Sequence, residues 1–132
     1  MSSRLRGMVP LVPVADMAAS LGFYRDALGF RLISGAASSR FAMVGRGGAR
    51  IGLQAGFGAD VVAVTGTHLA ASVLVDDLDG YWAEIAPGLA GLPPGRVRRP
   101  FRQDYGVREF HVKDPDGFLM FFSEAADMET EV

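Results

Sequence analysis

Val12-Pro13-Val14-Ala15-Asp16-Met17 and Val73-Leu74-Val75-Asp76-Asp77-Leu78 are two versions of one passage, the second 61 positions after the first. Each is an apolar, strand-like run that ends in an aspartate followed by Met or Leu. The aspartate is a good helix N-cap, because its side chain can accept from the free N–H groups of a first turn. Behind Asp16, Met17, Leu21, Tyr24 and Leu28 recur at helical spacing, and Gly29 follows as a stop. Behind Asp77, Leu78, Tyr81, Trp82 and Ile85 form the apolar face of a second helix, which Pro87 and Gly88 are expected to end.

Working outward, each helix is followed by three short strand candidates. Residues 30–34, 40–44 and 49–54 follow the first, with Gly35 and Gly45 to Gly48 at the turns. Residues 97–101, 107–112 and 118–123 follow the second. The last two are joined by Asp114-Pro115-Asp116-Gly117, where proline presets one turn angle and glycine accepts the positive φ that closes the hairpin. Residues 55–67 read as a loop and 68–75 as an alternating strand. The order strand, helix, three strands therefore occurs twice, and 132 residues are too few for two independent large cores. The expectation is one α+β domain over 1–132, built from two βαβββ modules, about 7–55 and about 67–124, packed around a shared cavity.

Composition narrows the function. Thirteen Lys+Arg against fifteen Asp+Glu leave a net charge of −2, and 49% hydrophobic residues are enough for a real core. With no cysteine there is no disulfide, thiolate metal site or cysteine nucleophile. No apolar run approaches the roughly 20 residues that cross a bilayer, and Pro10 and Pro13 interrupt the only stretch resembling a leader, so a cytoplasmic protein without a membrane partner is expected. Lys113 is the only lysine. Arginine is dense only at Arg96, Arg98, Arg99 and Arg102, a patch suited to a carboxylate or phosphate, while an acidic chain without a wider basic face excludes nucleic acid as a partner. The tail from Glu124 to Val132 is expected to fray.

Strand parity proposes a site. Leu69, Ala71, Val73 and Val75 form an apolar alternate set that should face a helix, which leaves His68, Ala70, Ser72 and Leu74 toward the cavity. By the same rule Phe110 and Val112 pack under the helix and Glu109 and His111 point into the cavity with Val107. In the last strand both faces are largely apolar, and Phe121 either fills the cavity or offers a flat ligand a stacking surface. Tyr81 and Trp82 read as helix-packing residues. Phe101 and Tyr105 flank the arginine patch on a long loop that could form a lid.

Residues 12–30, ending in Phe23-Tyr24 and Leu28-Gly29-Phe30, and residues 105–117, ending in the Asp-Pro-Asp-Gly hairpin, resemble the glyoxalase/bleomycin resistance/extradiol dioxygenase superfamily, also called vicinal oxygen chelate proteins. The resemblance covers nearly the whole chain. It implies paired βαβββ modules forming a half-open curved sheet around a ligand cavity, usually in a homodimer. It also implies, in the family's enzymes, a divalent metal held by His, Gln or Glu on the first and last strands of each module. The matching positions here are Val9, Gly52, Ala70 and Phe121, none of which can ligate a metal. The resemblance is therefore strongest to the metal-free, bleomycin-resistance-like members. The expectation is a binding protein for a small organic ligand rather than an enzyme, without cofactor or metal, of the antibiotic-sequestering type. Its ligand-binding candidates are His68, Ser72, Phe101, Arg102, Tyr105, Glu109, His111 and Phe121. The alternative is a metal-dependent lyase, isomerase or dioxygenase with a displaced site at His68, Glu109 and His111; in a third reading Glu109 or His111 acts as a metal-free general base.

Overall fold

The computed structural model describes residues 2–124, so the acidic tail beyond Glu124 lies outside the described residues. Asp16 caps the first helix, α1 (Met17–Asp26), by accepting from Ala19 N at 3.1 Å. Asp77 caps a later helix, Leu78–Leu89, by accepting from Gly80 N at 3.0 Å. Both aspartates and both amides are 61 positions apart, so the repeat read from the sequence extends to a single hydrogen bond. α1 ends where Gly29, at φ +72°, lets the chain turn back, with Gly29 N donating to Arg25 O and Phe30 N to Tyr24 O. Glycine is suited here because a Cβ strains that backbone conformation.

Strands β1 (Leu11–Pro13), β2 (Arg31–Ser34), β3 (Phe41–Arg46) and β4 (Ala49–Gln54) form one sheet in the order β1-β4-β3-β2. Strands β5 (Ala70–Val75), β6 (Val97–Arg102), β7 (Arg108–Lys113) and β8 (Leu119–Glu124) form the other in the order β5-β8-β7-β6. In each sheet the first strand lies parallel to the last, and the remaining pairs are antiparallel. Register repeats as topology does. Leu11 pairs with Gly52 and Ser72 pairs with Phe121, and Leu11 and Ser72 stand 61 positions apart. Each sheet thus leaves its first strand with an open hydrogen-bonding edge.

One hydrophobic core spans both modules, from Val12, Leu28 and Leu53 to Phe110, Val112, Met120 and Phe122. Tyr81 and Trp82 pack on Phe110, with ring centroids 6.0 and 4.9 Å away, as the amphipathic spacing of their helix predicts. Polar contacts also join the modules. Tyr81 donates its hydroxyl to Leu28 O at 2.7 Å, Tyr24 donates to Asp114 at 3.0 Å, and Arg46 forms an ion pair with Glu84.

Two expectations are corrected. The stretch 55–67 is not a loop: it contains most of α2 (Ala59–His68), whose buried Val62 and Gly66 lie one turn apart. Its β-branched residues have weak helix propensity, and tertiary packing overrides that preference. Gly66 meets the turn at Asp116 so closely that an added Cβ would collide with the Asp116 carbonyl oxygen. His68 consequently ends a helix instead of opening β5. The second correction concerns α3 (Leu78–Leu89), which continues through Pro87. Proline removes only one donor in the final turn, and buried Leu89 anchors that turn to the core.

Candidate functional site

The two faces of the second sheet divide as strand parity requires. Phe110, Val112, Met120 and Phe122 are buried beneath α3. The opposite face carries two rows of side chains across all four strands. Arg98, His111, Phe121 and Ser72 are successive register partners in one row, and Phe101, Glu109, Ser123 and Leu74 in the other. Arg98 and Phe101 would ordinarily point to opposite faces, being three positions apart. A bulge between them places Arg99 and Pro100 opposite Phe110 alone and returns Phe101 to the Arg98 face. Pro100 suits that position because it has no N–H to donate to the ladder.

At the centre Glu109 is 2% exposed and surrounded by donors. It accepts from Gln103 Nε2 at 3.0 Å, from the Tyr105 hydroxyl at 2.8 Å, from His111 Nε2 and, more distantly, from Ser123 Oγ at 3.5 Å. Burial pushes its carboxyl upward, but the hydrogen bonds from His111, Gln103 and Tyr105 outweigh that effect and hold it below the usual carboxylate range. A carboxylate only accepts, so the contact puts a proton on His111 Nε2 and leaves Nδ1 as the nitrogen available to a ligand. The His111 ring stands edge-on between two aromatic rings, 5.0 Å from Phe101 and 4.4 Å from Phe121. Arg98 lies over the free face of Phe101, its Cζ 3.5 Å from the ring centroid.

Phe101, Tyr105, Glu109, His111 and Phe121 are therefore brought together, with Ser72 at the β5 side. Two other predicted site residues stand apart. Arg102 pairs with Arg108, out of phase with Phe101, and its guanidinium donates to Gly106 O. His68 ends α2, where its Nδ1 donates to Val64 O at 2.9 Å. The constellation His68, Glu109, His111 is thus not assembled, and among the described residues no group of three or more His, Asp or Glu is placed to hold a metal ion.

The positions at which the family's enzymes hold a metal do not suit one here. Gly52 faces Leu11 across the sheet, and Phe121 faces Ser72. Moving the first-strand positions by two residues, from Val9 and Ala70 to Leu11 and Ser72, adds only a neutral hydroxyl. A divalent cation requires imidazole or carboxylate donors that this set lacks.

On the same face of the first module the two central polar positions are apolar, although Gln54 stands where Ser123 does in the second. By register, Met43 stands where His111 does in the second, and Phe41 where Glu109 does. An added Cβ on Gly52 would come within 2.7 Å of Leu11 and 2.9 Å of Phe41. A cavity of about 1000 Å³ runs along the open edge of β5. It is lined by Met8, Pro10, Arg50 and Tyr81 and reaches the polar face at Ser72 and Leu74.

Known proteins place these features in context. A bleomycin-binding protein from bleomycin-producing Streptomyces verticillus, solved with copper(II)-bleomycin, is 28% identical, with a TM-score of 0.72 over 92% of this chain and 97% of that one. A bleomycin resistance determinant encoded on the transposon Tn5 shares the fold at 19% identity, with a TM-score of 0.71 over 89% of this chain and 96% of that one. Lactoylglutathione lyase from Agrobacterium tumefaciens shares it at 16% identity, with a TM-score of 0.65 over 96% of each chain. No curated protein matches the chain. A profile of the Glyoxalase/Bleomycin resistance protein/Dioxygenase superfamily matches residues 8–122, and the chain belongs to that superfamily.

Proposed function

We propose that this protein is a metal-free small-molecule binder of the antibiotic-sequestering type, acting as a cytoplasmic homodimer. The observation that carries the reading is the face formed by Phe101, Tyr105, Glu109, His111 and Phe121. It offers aromatic area and a fixed set of polar groups, which is what a binding site for a flat organic molecule needs. The chemistry of Val9, Gly52, Ala70 and Phe121 supports binding over metal-dependent catalysis. The copper(II)-bleomycin complex of the Streptomyces verticillus protein supports the ligand class. The homodimer is supported by the open edges of β1 and β5, where Leu11 and Leu74 are each 52% exposed. A second copy could cover both.

Elemental analysis of the purified protein, followed by thermal-shift titration with copper(II)-bleomycin, metal-free bleomycin, Zn²⁺, Ni²⁺ and Mn²⁺, tests the reading. A ligand that binds only the native state raises the melting temperature by mass action. The expected result is protein free of stoichiometric metal, indifferent to the free ions and stabilised by an aromatic drug. Stoichiometric bound metal, or stabilisation by a free ion alone, would overturn it.

A further inference from the structure

We infer that the ligand of this face is a planar aromatic acid whose carboxylate is held by Arg98. The inference rests on the binding role proposed above and names its chemistry. Arg98 lies over the Phe101 ring, its Cζ 3.5 Å from the centroid, a contact that holds the guanidinium in place without using its N–H donors. Two of its neighbours in the arginine patch are engaged, Arg96 donating to Lys113 O and Arg102 to Gly106 O, and the third, Arg99, lies in the bulge opposite Phe110, off this row. Among the described residues no carboxylate or carbonyl accepts from Arg98. The acid closest in register, Glu109, already accepts from four side chains and is buried. The forked cation thus has no anionic partner among the described residues, which is the arrangement that captures a carboxylate through two parallel hydrogen bonds.

The rest of the row sets the body of the ligand. From Arg98 past His111 to Phe121 is two strand spacings, about 10 Å at roughly 4.8 Å each, the span of a two-ring aromatic acid. Rings seated there would meet the edge of His111 and the face or edge of Phe121. His111 Nδ1 would hydrogen-bond a ring hydroxyl, since Nε2 is committed to Glu109. The bulge at Arg99 and Pro100 gives this row its cation. If the same residues ran as a regular strand, Arg98 and Phe101, three positions apart, would lie on opposite faces and the stack could not form.

The test uses the full chain and two probes of equal shape, 2-naphthoate and the neutral 2-naphthamide, titrated by intrinsic fluorescence and calorimetry, with copper(II)-bleomycin in parallel. The expected result is binding of naphthoate at least about tenfold tighter than naphthamide, a preference weakened by salt, lost in Arg98→Gln and partly kept in Arg98→Lys. Arg98 is exposed, and unchanged far-ultraviolet circular dichroism would show that both variants fold. Equal affinity for the two probes, or a preference that survives in Arg98→Gln, would overturn the inference. Binding of copper(II)-bleomycin but of neither naphthalene would overturn it while leaving the sequestering role standing. Failure of all three ligands would overturn both.

Discussion

Tyr24, in the helix of the first module, donates its buried hydroxyl to Asp114, in the turn that closes the second module, at 3.0 Å and across ninety positions of sequence. The same carboxylate accepts from the amides of Asp116 and Phe118 at 2.9 Å each, so one side chain shapes the Asp-Pro-Asp-Gly turn and ties it to the other repeat. Tyr24→Phe removes the donor and leaves a buried oxygen without its partner. A loss of about 1–3 kcal/mol is expected from urea unfolding. An unchanged midpoint would show that the hydroxyl does not couple the modules.

Asp114 and Glu109 should act on stability in opposite directions of pH. Burial dominates at Asp114 and raises its pKa above the ordinary carboxylate value despite its hydrogen bonds. Its contribution is therefore fully present below the unfolded value and is lost as pH rises through the folded one. Glu109 is held below the ordinary value, so its contribution is present above the unfolded value and is lost as pH falls through the folded one. Urea midpoints measured from pH 3 to 7 should show Asp114→Asn flattening the slope above the ordinary carboxylate range and Glu109→Gln flattening it below. The reverse assignment of the two slopes would contradict the structure.

Two helical glycines should respond to alanine with opposite signs. Gly66 is pressed against the Asp116 carbonyl, so Gly66→Ala must displace backbone and should destabilise by about 1–3 kcal/mol even though alanine favours helix. Gly22 in α1 has open space, its nearest neighbour being the Arg25 guanidinium at 4.0 Å, and Gly22→Ala should stabilise by about 0.5–1 kcal/mol. Thermal denaturation of the two variants beside the parent measures both.

The exposed inner edge strands bear on assembly. Leu74→Lys places a charge on an apolar position of the open β5 edge, and Leu11→Lys does the same on β1. Each should convert a dimer to folded monomer by light scattering, because desolvating an unpaired ammonium in the interface opposes association. Dimers that persist in both variants would place the interface elsewhere.

Arg46 and Glu84 join β3 to α3 by an ion pair whose second contact is 2.8 Å, with Arg46 also 4.8 Å from the centre of the Tyr81 ring. Both side chains are substantially exposed, so solvent screens the pair. Glu84→Gln should leave the unfolding midpoint almost unchanged and lose even that small effect at high salt. A larger loss in a double-mutant cycle would mean the pair contributes more to module packing than its exposure implies.

The sequence by itself determined the two modules, their caps and the split between the core face and the polar face of the second sheet. Those features depend on local rules: an aspartate that meets a first-turn amide, a glycine that accepts positive φ, and an alternation of two that puts Phe110 and Glu109 on opposite sides of one strand. It also placed Glu109, His111 and Phe121 on one face, since register partners across antiparallel strands follow from a hairpin turn as regular as Asp114 to Gly117. Tertiary structure decided the rest. α2 is helical because Val62 and Gly66 find a surface to pack on, which no local propensity reports, and that removed His68 from β5. Tyr105 reaches Glu109, and Arg98 reaches Phe101, only through a loop conformation and a one-residue bulge. Parity counting along β6 assumes an uninterrupted ladder, and a bulge changes which face every later residue occupies. The chemical character of the site, a buried carboxylate beside a stacked arginine, was therefore decided by long-range pairing.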